Sequence, residues 1–179
     1  RDNVRPILRW NETTRANCDA IRQRLPPELV AVHLKQFDQM KPEESNADGQ
    51  VWQSALVDFV SPGGRAAILI GDDRLPEGVK IGGNIVLGRE FNLDIGSQLA
   101  LVSMCSGFVG MASGVASGAI FSRIPYVIFK HPDHDSLEMK RELGGSDRLV
   151  FASDNQRLIR RIPDRNYLGL AFHSIGVTS

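Results

Sequence analysis

The sequence predicts an α/β domain built on a single doubly wound parallel sheet of about six strands. Apolar, β-branched runs alternate with segments of helical periodicity along the chain. The first two runs, LVAVHL (Leu29 to Leu34) and AAILIGD (Ala66 to Asp72), show no polar alternation, as strands covered on both faces require. The stretch from Asp94 to Lys130 reads as helix, strand, small-residue turn, helix, strand, which is one βαβ crossover with the preceding helix attached.

In chain order, residues 1 to 10 carry Arg1, Arg5 and Arg9 around Pro6 and read as an irregular arm. Asn11 to Leu25 is a helix, with Asn11 as N-cap and Thr14, Cys18, Ile21 and Leu25 along one face, ended by Pro26-Pro27. The first strand and the long polar loop from Lys35 to Gln50 follow, a loop of the length that usually carries function. Trp52, Leu56, Phe59 and Val60 mark a second helix, closed by Ser61-Pro62-Gly63-Gly64. After the second strand comes a short third one, NIVLG, from Asn84 to Gly88. Ile95, Leu99, Val102 and Ser106 keep the register of the next helix. Phe108 and Val109 open a fourth strand, and a helix through Ala119, Ile120 and Phe121 is expected to run to Ile124-Pro125 before the strand YVIFK. LVFA (Leu149 to Ala152) reads as the sixth strand and QRLIRRI as a short helix after it, capped by Ser153 or Asp154. The division expected is an arm and helix over residues 1–28 and a Rossmann-like domain over residues 29–179.

Composition bounds the partners. With 179 residues, 42% hydrophobic and 23% charged, the chain is that of an ordinary globular domain. Twenty-one basic residues balance 21 acidic ones, so no net field draws in nucleic acid or an anionic membrane. No apolar run reaches the roughly 18 residues of a spanning helix. Cys18 and Cys105 each fall in an apolar helical pattern and read as buried thiols, which suits a reducing compartment. A cytoplasmic setting is expected, with peripheral attachment to a membrane left open. The chain begins at Arg1 without methionine or signal peptide, which reads as a piece of something longer.

In a sheet of this kind ligands bind at the carboxyl ends of the strands, near the point where strand order reverses. That places His33, Lys35 and Gln36 after the first strand and Gly71, Asp72 and Asp73 after the second. Arg89 and Glu90 follow the third, and Ser113, Gly114 and Ser117 the fourth. The turn from Gly110 to Gly118, GMASGVASG, lets a ligand approach the backbone, and unpaired amides at its end make an anion site. Ser113 and Ser117 suit either phosphate contact or close helix packing. Glu90 suits either a ribose contact or a solvated loop. His131-Pro132-Asp133-His134-Asp135 has metal-ligand residue types, but no second ligand set accompanies it. Gly114 to Gly118 lacks the G-x-S-x-G spacing of a hydrolase nucleophile. The dinucleotide fingerprint G-x-G-x-x-G is absent after the first strand, where Lys-Gln-Phe-Asp stands instead.

The segment QLALVSMCSGFVGMASGVASGAIFSRIPYVIFK resembles the donor-binding, C-terminal domain of GT-B fold glycosyltransferases, whose two Rossmann-like domains face each other across a cleft. The likeness is strongest from Asp94 to Lys130 and extends through Leu29 to Gly88. The small-residue turn is similar to that of the heptosyltransferase-like branch, where a D-S-G-like turn meets the donor diphosphate. The strand end His33-Leu34-Lys35-Gln36 is similar to the H-(L/V)-R-R pattern of the fucosyltransferase-like branch, but both arginines are absent. Lysine keeps one charge without the planar fork that binds phosphate bidentately. No E-x7-E pair of the kind many retaining members carry is present. The resemblance implies one half of a GT-B fold that moves a sugar from a nucleotide diphosphate sugar to an acceptor hydroxyl. Its donor-binding residues would be His33, Lys35, Asp72, Arg89, Glu90, Ser113, Gly114 and Ser117. No metal and no cofactor are implied. The N-terminal domain of the same protein would be the partner and would supply any general base, so the fragment alone is expected to be inactive. A nucleotide-sugar epimerase of the same fold and a non-catalytic nucleotide-binding domain are the alternatives.

Overall fold

The computed structural model of the protein describes residues 6–36, 46–71, 74–132, 137, 141, 143 and 145–176. Helix α1 (Glu12–Arg22) starts where the Asn11 side chain accepts a hydrogen bond from the Thr14 amide at 2.8 Å. Strand β1 (Glu28–His33), helix α2 (Gly49–Val60), strand β2 (Arg65–Leu69) and the short β3 (Ile85–Leu87) follow. A one-turn 3-10 segment, Gly88–Phe91, ends at Asn92, whose φ of 51° lies in the left-handed region. Helix α3 (Ile95–Met104) is capped by Asp94. Hydrogen bonds from Ser97 hold the Asp94 carboxylate below the usual carboxylate range. Strand β4 (Gly107–Met111), the single turn α4 (Ser117–Ile120), strands β5 (Tyr126–Lys130) and β6 (Gln156–Arg160), and helix α5 (Arg165–Gly176) complete the chain.

All six strands are parallel, in the order β3-β2-β1-β4-β5-β6. This is the Rossmann-like order in which the chain winds one way from β1 to β3, then returns to β4 and winds the other way. Successive strand residues face opposite sides of the sheet. Leu29, Ala31, Ile68, Phe108 and Ile128 pack with Cys18, Ile21, Leu101 and Ala119 from α1, α3 and α4. Val30, Val32, Leu69, Val109 and Phe129 pack with Trp52, Leu56, Leu168 and Phe172 from α2 and α5. Two cores therefore sandwich the sheet, which is why its central strands lack polar alternation.

Three local expectations are corrected. The sixth strand is Gln156–Arg160, within the segment read as a helix. Its burial alternates: Gln156 and Leu158 are buried while Arg157 is exposed. The Gln156 amide donates to the Ile124 carbonyl at 2.8 Å and its Oε1 accepts from the Ser153 amide at 3.0 Å, so the neighbouring turn holds the strand against β5. Residues 149–152 instead form a turn closed from the Ala152 amide to the Leu149 carbonyl at 2.9 Å. Helix α4 lasts only one turn and does not reach Ile124. The C-terminal stretch, left unassigned from the sequence, folds as α5, which packs on α2 through Phe59 and Phe172, their rings stacked at 4.9 Å.

Candidate functional site

Adjacent strands β1 and β4 define the point where strand order reverses, with His33 paired to Gly110. The chain segments beyond both strands leave the sheet side by side at this edge. After β4, the segment from Ala112 to Ala116 has a distinctive backbone. The Ala112 amide still bonds to the Phe129 carbonyl at 2.8 Å, and the Ser117, Gly118 and Ala119 amides close tight turns onto Gly114, Val115 and Ala116. Between them, no acceptor among the described residues takes the backbone N–H of Ser113, Gly114, Val115 or Ala116. The Ser113 hydroxyl oxygen is also buried without a hydrogen-bond partner among the described residues. Consecutive backbone donors without acceptors are groups that an anion can satisfy.

The glycines of this turn have separate causes. A Cβ on Gly110 would lie 2.9 Å from the His33 backbone, so this position lets β4 approach β1. A Cβ on Gly118 would lie 2.7 Å from the Leu99 carbonyl and 3.0 Å from Val102, so this one lets α4 press against α3. Gly114 is exposed and a Cβ there meets nothing within 4 Å. Its backbone faces open space.

His33, at 2% exposure, is held at the end of β1 by Nδ1, 2.8 Å from the Ile70 carbonyl oxygen. A carbonyl only accepts, so Nδ1 carries the proton. Gly71, with φ of 118°, passes directly over this ring; a Cβ there would sit 2.8 Å from Nδ1. The Gly71 amide donates to Gln98 Oε1 at 3.1 Å, and Gln98 Nε2 donates to the Leu93 carbonyl at 3.2 Å. Gln98 is 2% exposed, so one glutamine from α3 fixes the chain where it leaves β2. Sequence reading missed it; the available signal was a long polar side chain on the buried face of an apolar helix. Lys35 lies two residues beyond His33, and its carbonyl accepts from the Ala47 amide at 2.8 Å, which ties the strand end to the start of α2.

Arg89 lines a small pocket at the same edge with Leu34, Leu69, Ile70, Gly71 and Leu87. Glu90 faces another direction, into a groove beside α1 with Asn17, Arg24 and Phe91. His33 and Lys35 thus stand at and just past the end of β1, Arg89 just past β3, and Ser113 and Gly114 just past β4, with Ser117 opening α4, while Glu90 lines a different groove. Asp72 lies outside the described residues, as do Asp133, His134 and Asp135 of the histidine-aspartate cluster. Among the described residues, no group of three or more His, Cys, Asp or Glu side chains could hold a metal ion. No helix among them is long and apolar enough to cross a membrane.

A scan against protein-family models finds no match to this chain, and a search of curated proteins finds none either. Among solved structures, the chain is similar to the crystal structure of a glycosyl transferase family 9 protein from Veillonella parvula, with a TM-score of 0.63 and 11% identity. The likeness covers 97% of this chain and 54% of the other, so the chain spans about half the length of that protein. At this identity the comparison establishes the fold: a Rossmann-like α/β domain of the kind found in that glycosyl transferase.

Proposed function

We propose that the chain is the donor-binding half of a glycosyltransferase, holding a nucleotide diphosphate sugar at the β1–β4 edge. The observation that carries this reading is the run of four amides, Ser113 to Ala116, without acceptors, beside a buried Ser113 hydroxyl. A diphosphate supplies the oxygens that such a turn lacks, and it is the group on which negative charge grows as a glycosyl bond breaks. Fixed N–H dipoles aimed at that charge stabilise it without reorganising. Lys35 adds a full positive charge from the adjacent strand end. Arg89 and the pocket beside Gly71 fall on the β2–β3 side, where a nucleoside attached to the diphosphate can extend. The acceptor and the group that deprotonates it belong to the second domain that this reading requires.

Gly114→Val tests the reading. The open space around Gly114 accepts the side chain, so the fold should be kept, while the branched carbons stand where the diphosphate must meet the backbone. Losing one or two hydrogen bonds to a charged group is worth roughly 1.5–3 kcal/mol each. Nucleoside diphosphate affinity should fall by at least about tenfold, with affinity for the bare nucleoside little changed and the melting temperature near that of the parent. Equal losses for both ligands, or none for either, would remove the diphosphate from this turn.

A further inference from the structure

Three strand exits meet on the β2–β3 side of the sheet edge, and two glycines let them close. Gly71, just past β2, lies over the His33 ring at the end of β1, where a Cβ would come within 2.8 Å of Nδ1. Gly88, just past β3, lies against the end of β2, where a Cβ would come within 2.8 Å of the Ile70 side chain and 3.0 Å of the Leu69 carbonyl oxygen. The small pocket at this edge takes its lining from both exits: Leu69, Ile70 and Gly71 from the chain leaving β2, and Leu87 and Arg89 from the chain leaving β3.

Gln98 bonds to both segments. Its Oε1 accepts from the Gly71 amide at 3.1 Å and its Nε2 donates to the Leu93 carbonyl at 3.2 Å. Leu93 follows the turn Gly88–Phe91, which carries Arg89. The Gln98 side chain is 2% exposed, and the other buried residues of α3 are Ala100, Leu101 and Val102. Packing alone calls for an apolar residue at such a position, since an amide taken out of water costs free energy unless its donor and acceptor are both matched. Here both are matched, and by backbone groups of the two segments that line the pocket or lead from it. Gly71, at φ 118°, holds a conformation that glycine alone takes easily, and the bond to Gln98 fixes the direction of its amide.

We propose that Gln98 is the positioning residue for the nucleoside half of the ligand. It acts through Gly71 and the turn that carries Arg89, setting the gap between the two exits, and not by contact with the ligand. This rests on the donor-binding reading, which puts the nucleoside on the β2–β3 side. The turn from Ser113 to Ala116 follows β4, and β1 stands between β4 and β2. Recognition of the nucleoside and of the diphosphate is therefore separable, and Gln98 serves the first.

Gln98→Met keeps the length of the side chain and removes both hydrogen bonds. Calorimetric titration compares parent and variant with two ligands: inorganic pyrophosphate, and whichever of ADP, GDP, UDP and CDP the parent binds most tightly. The nucleoside diphosphate should bind the variant about three- to tenfold more weakly, with pyrophosphate affinity unchanged. Equal losses for both ligands would make Gln98 a general support of the fold and overturn the proposal, as would no loss for either. A measurement on the parent alone covers a variant that fails to fold. In a 15N-labelled sample the Gly71 amide and the Gln98 side-chain amide resonances should shift with the nucleoside diphosphate and stay in place with pyrophosphate. Shifts of the same size with both ligands, or none with either, would overturn the proposal. A parent that binds none of these ligands removes the donor-binding reading and this proposal with it. A parent that binds them and gives one of the failures above removes the role of Gln98 alone.

Discussion

Single residues at the β1–β4 edge divide into those that build the backbone path and those that leave it open to a ligand. Gly110, Gly118 and Gly71 are small because protein atoms stand where their side chains would be; Gly114 is small with nothing nearby. The same distinction applies to the thiols. Cys18 and Cys105 are both free and buried in the core shared by α1 and α3. Burial pushes the Cys105 thiol from its ordinary value of 9.0 up to about 12, with the Arg22 guanidinium opposing that rise. Burial, followed by the charge of Asp19, also raises Cys18. The sign follows from linkage. Between pH 9.0 and about 12 the unfolded thiol of Cys105 ionises while the folded one does not, so stability falls as pH rises through this window. Chemical denaturation should show this alkaline loss in the parent and a shallower loss in Cys105→Ala, since that side chain has no proton to lose. Identical slopes would contradict the assignment.

At the level of elements, the start of α1 and the apolar face of α2 were readable, whereas the length of α4 and the pairing partner of β6 were not. The N-cap Asn11 and the apolar face of α2 lie where their sequence pattern puts them. Segment QRLIRRI carries Leu158, Ile159 and Ile162 at a spacing that suits a helix. Pairing with β5 turns it into an edge strand, because each residue from Gln156 to Arg160 gains a partner from Tyr126 to Lys130. Helix α5 was not assigned from the sequence, although Leu168, Ala171, Phe172 and Ile175 recur at helical spacing, and it closes one face of the sheet. Its anchor is Phe172, 3% exposed and stacked on Phe59. Phe172→Ala should destabilise the domain by about 3–5 kcal/mol, as aromatic truncations in packed cores do. Urea unfolding checks this. A change below about 1 kcal/mol, the level of a surface substitution, would mean that α5 is not part of the cooperative unit.

The described residues form a parallel sheet between two helical layers, and strand order reverses between β1 and β4. On the donor-binding reading, phosphate charge is met by the amides of Ser113 to Ala116 and by Lys35 and Arg89, without a divalent ion. Nucleoside diphosphate affinity should therefore be unchanged by a chelator. A large loss on chelation, restored by magnesium or manganese, would bring the segment from His131 to Asp135 back as a ligand set. Calorimetric titration with and without the chelator decides between the two.

The sequence by itself determined the class of the fold, five of the six strands and the cap of α1. These follow from local chemistry: uninterrupted apolar runs need cover on both faces, and a capping side chain bonds to an amide within three residues of itself. Tertiary structure decided the rest. It made Gln156–Arg160 a strand, since an edge strand is defined by the neighbour it pairs with. It brought Gln98 from α3 to the Gly71 amide, turned Glu90 away from Arg89, and left the amides of Ser113 to Ala116 without acceptors. It also set Trp52 edge to face against Phe129. Each of these depends on which atoms come within about 3 Å of one another across long stretches of chain. No pattern of neighbouring residues encodes that distance; packing of the two layers on the sheet does.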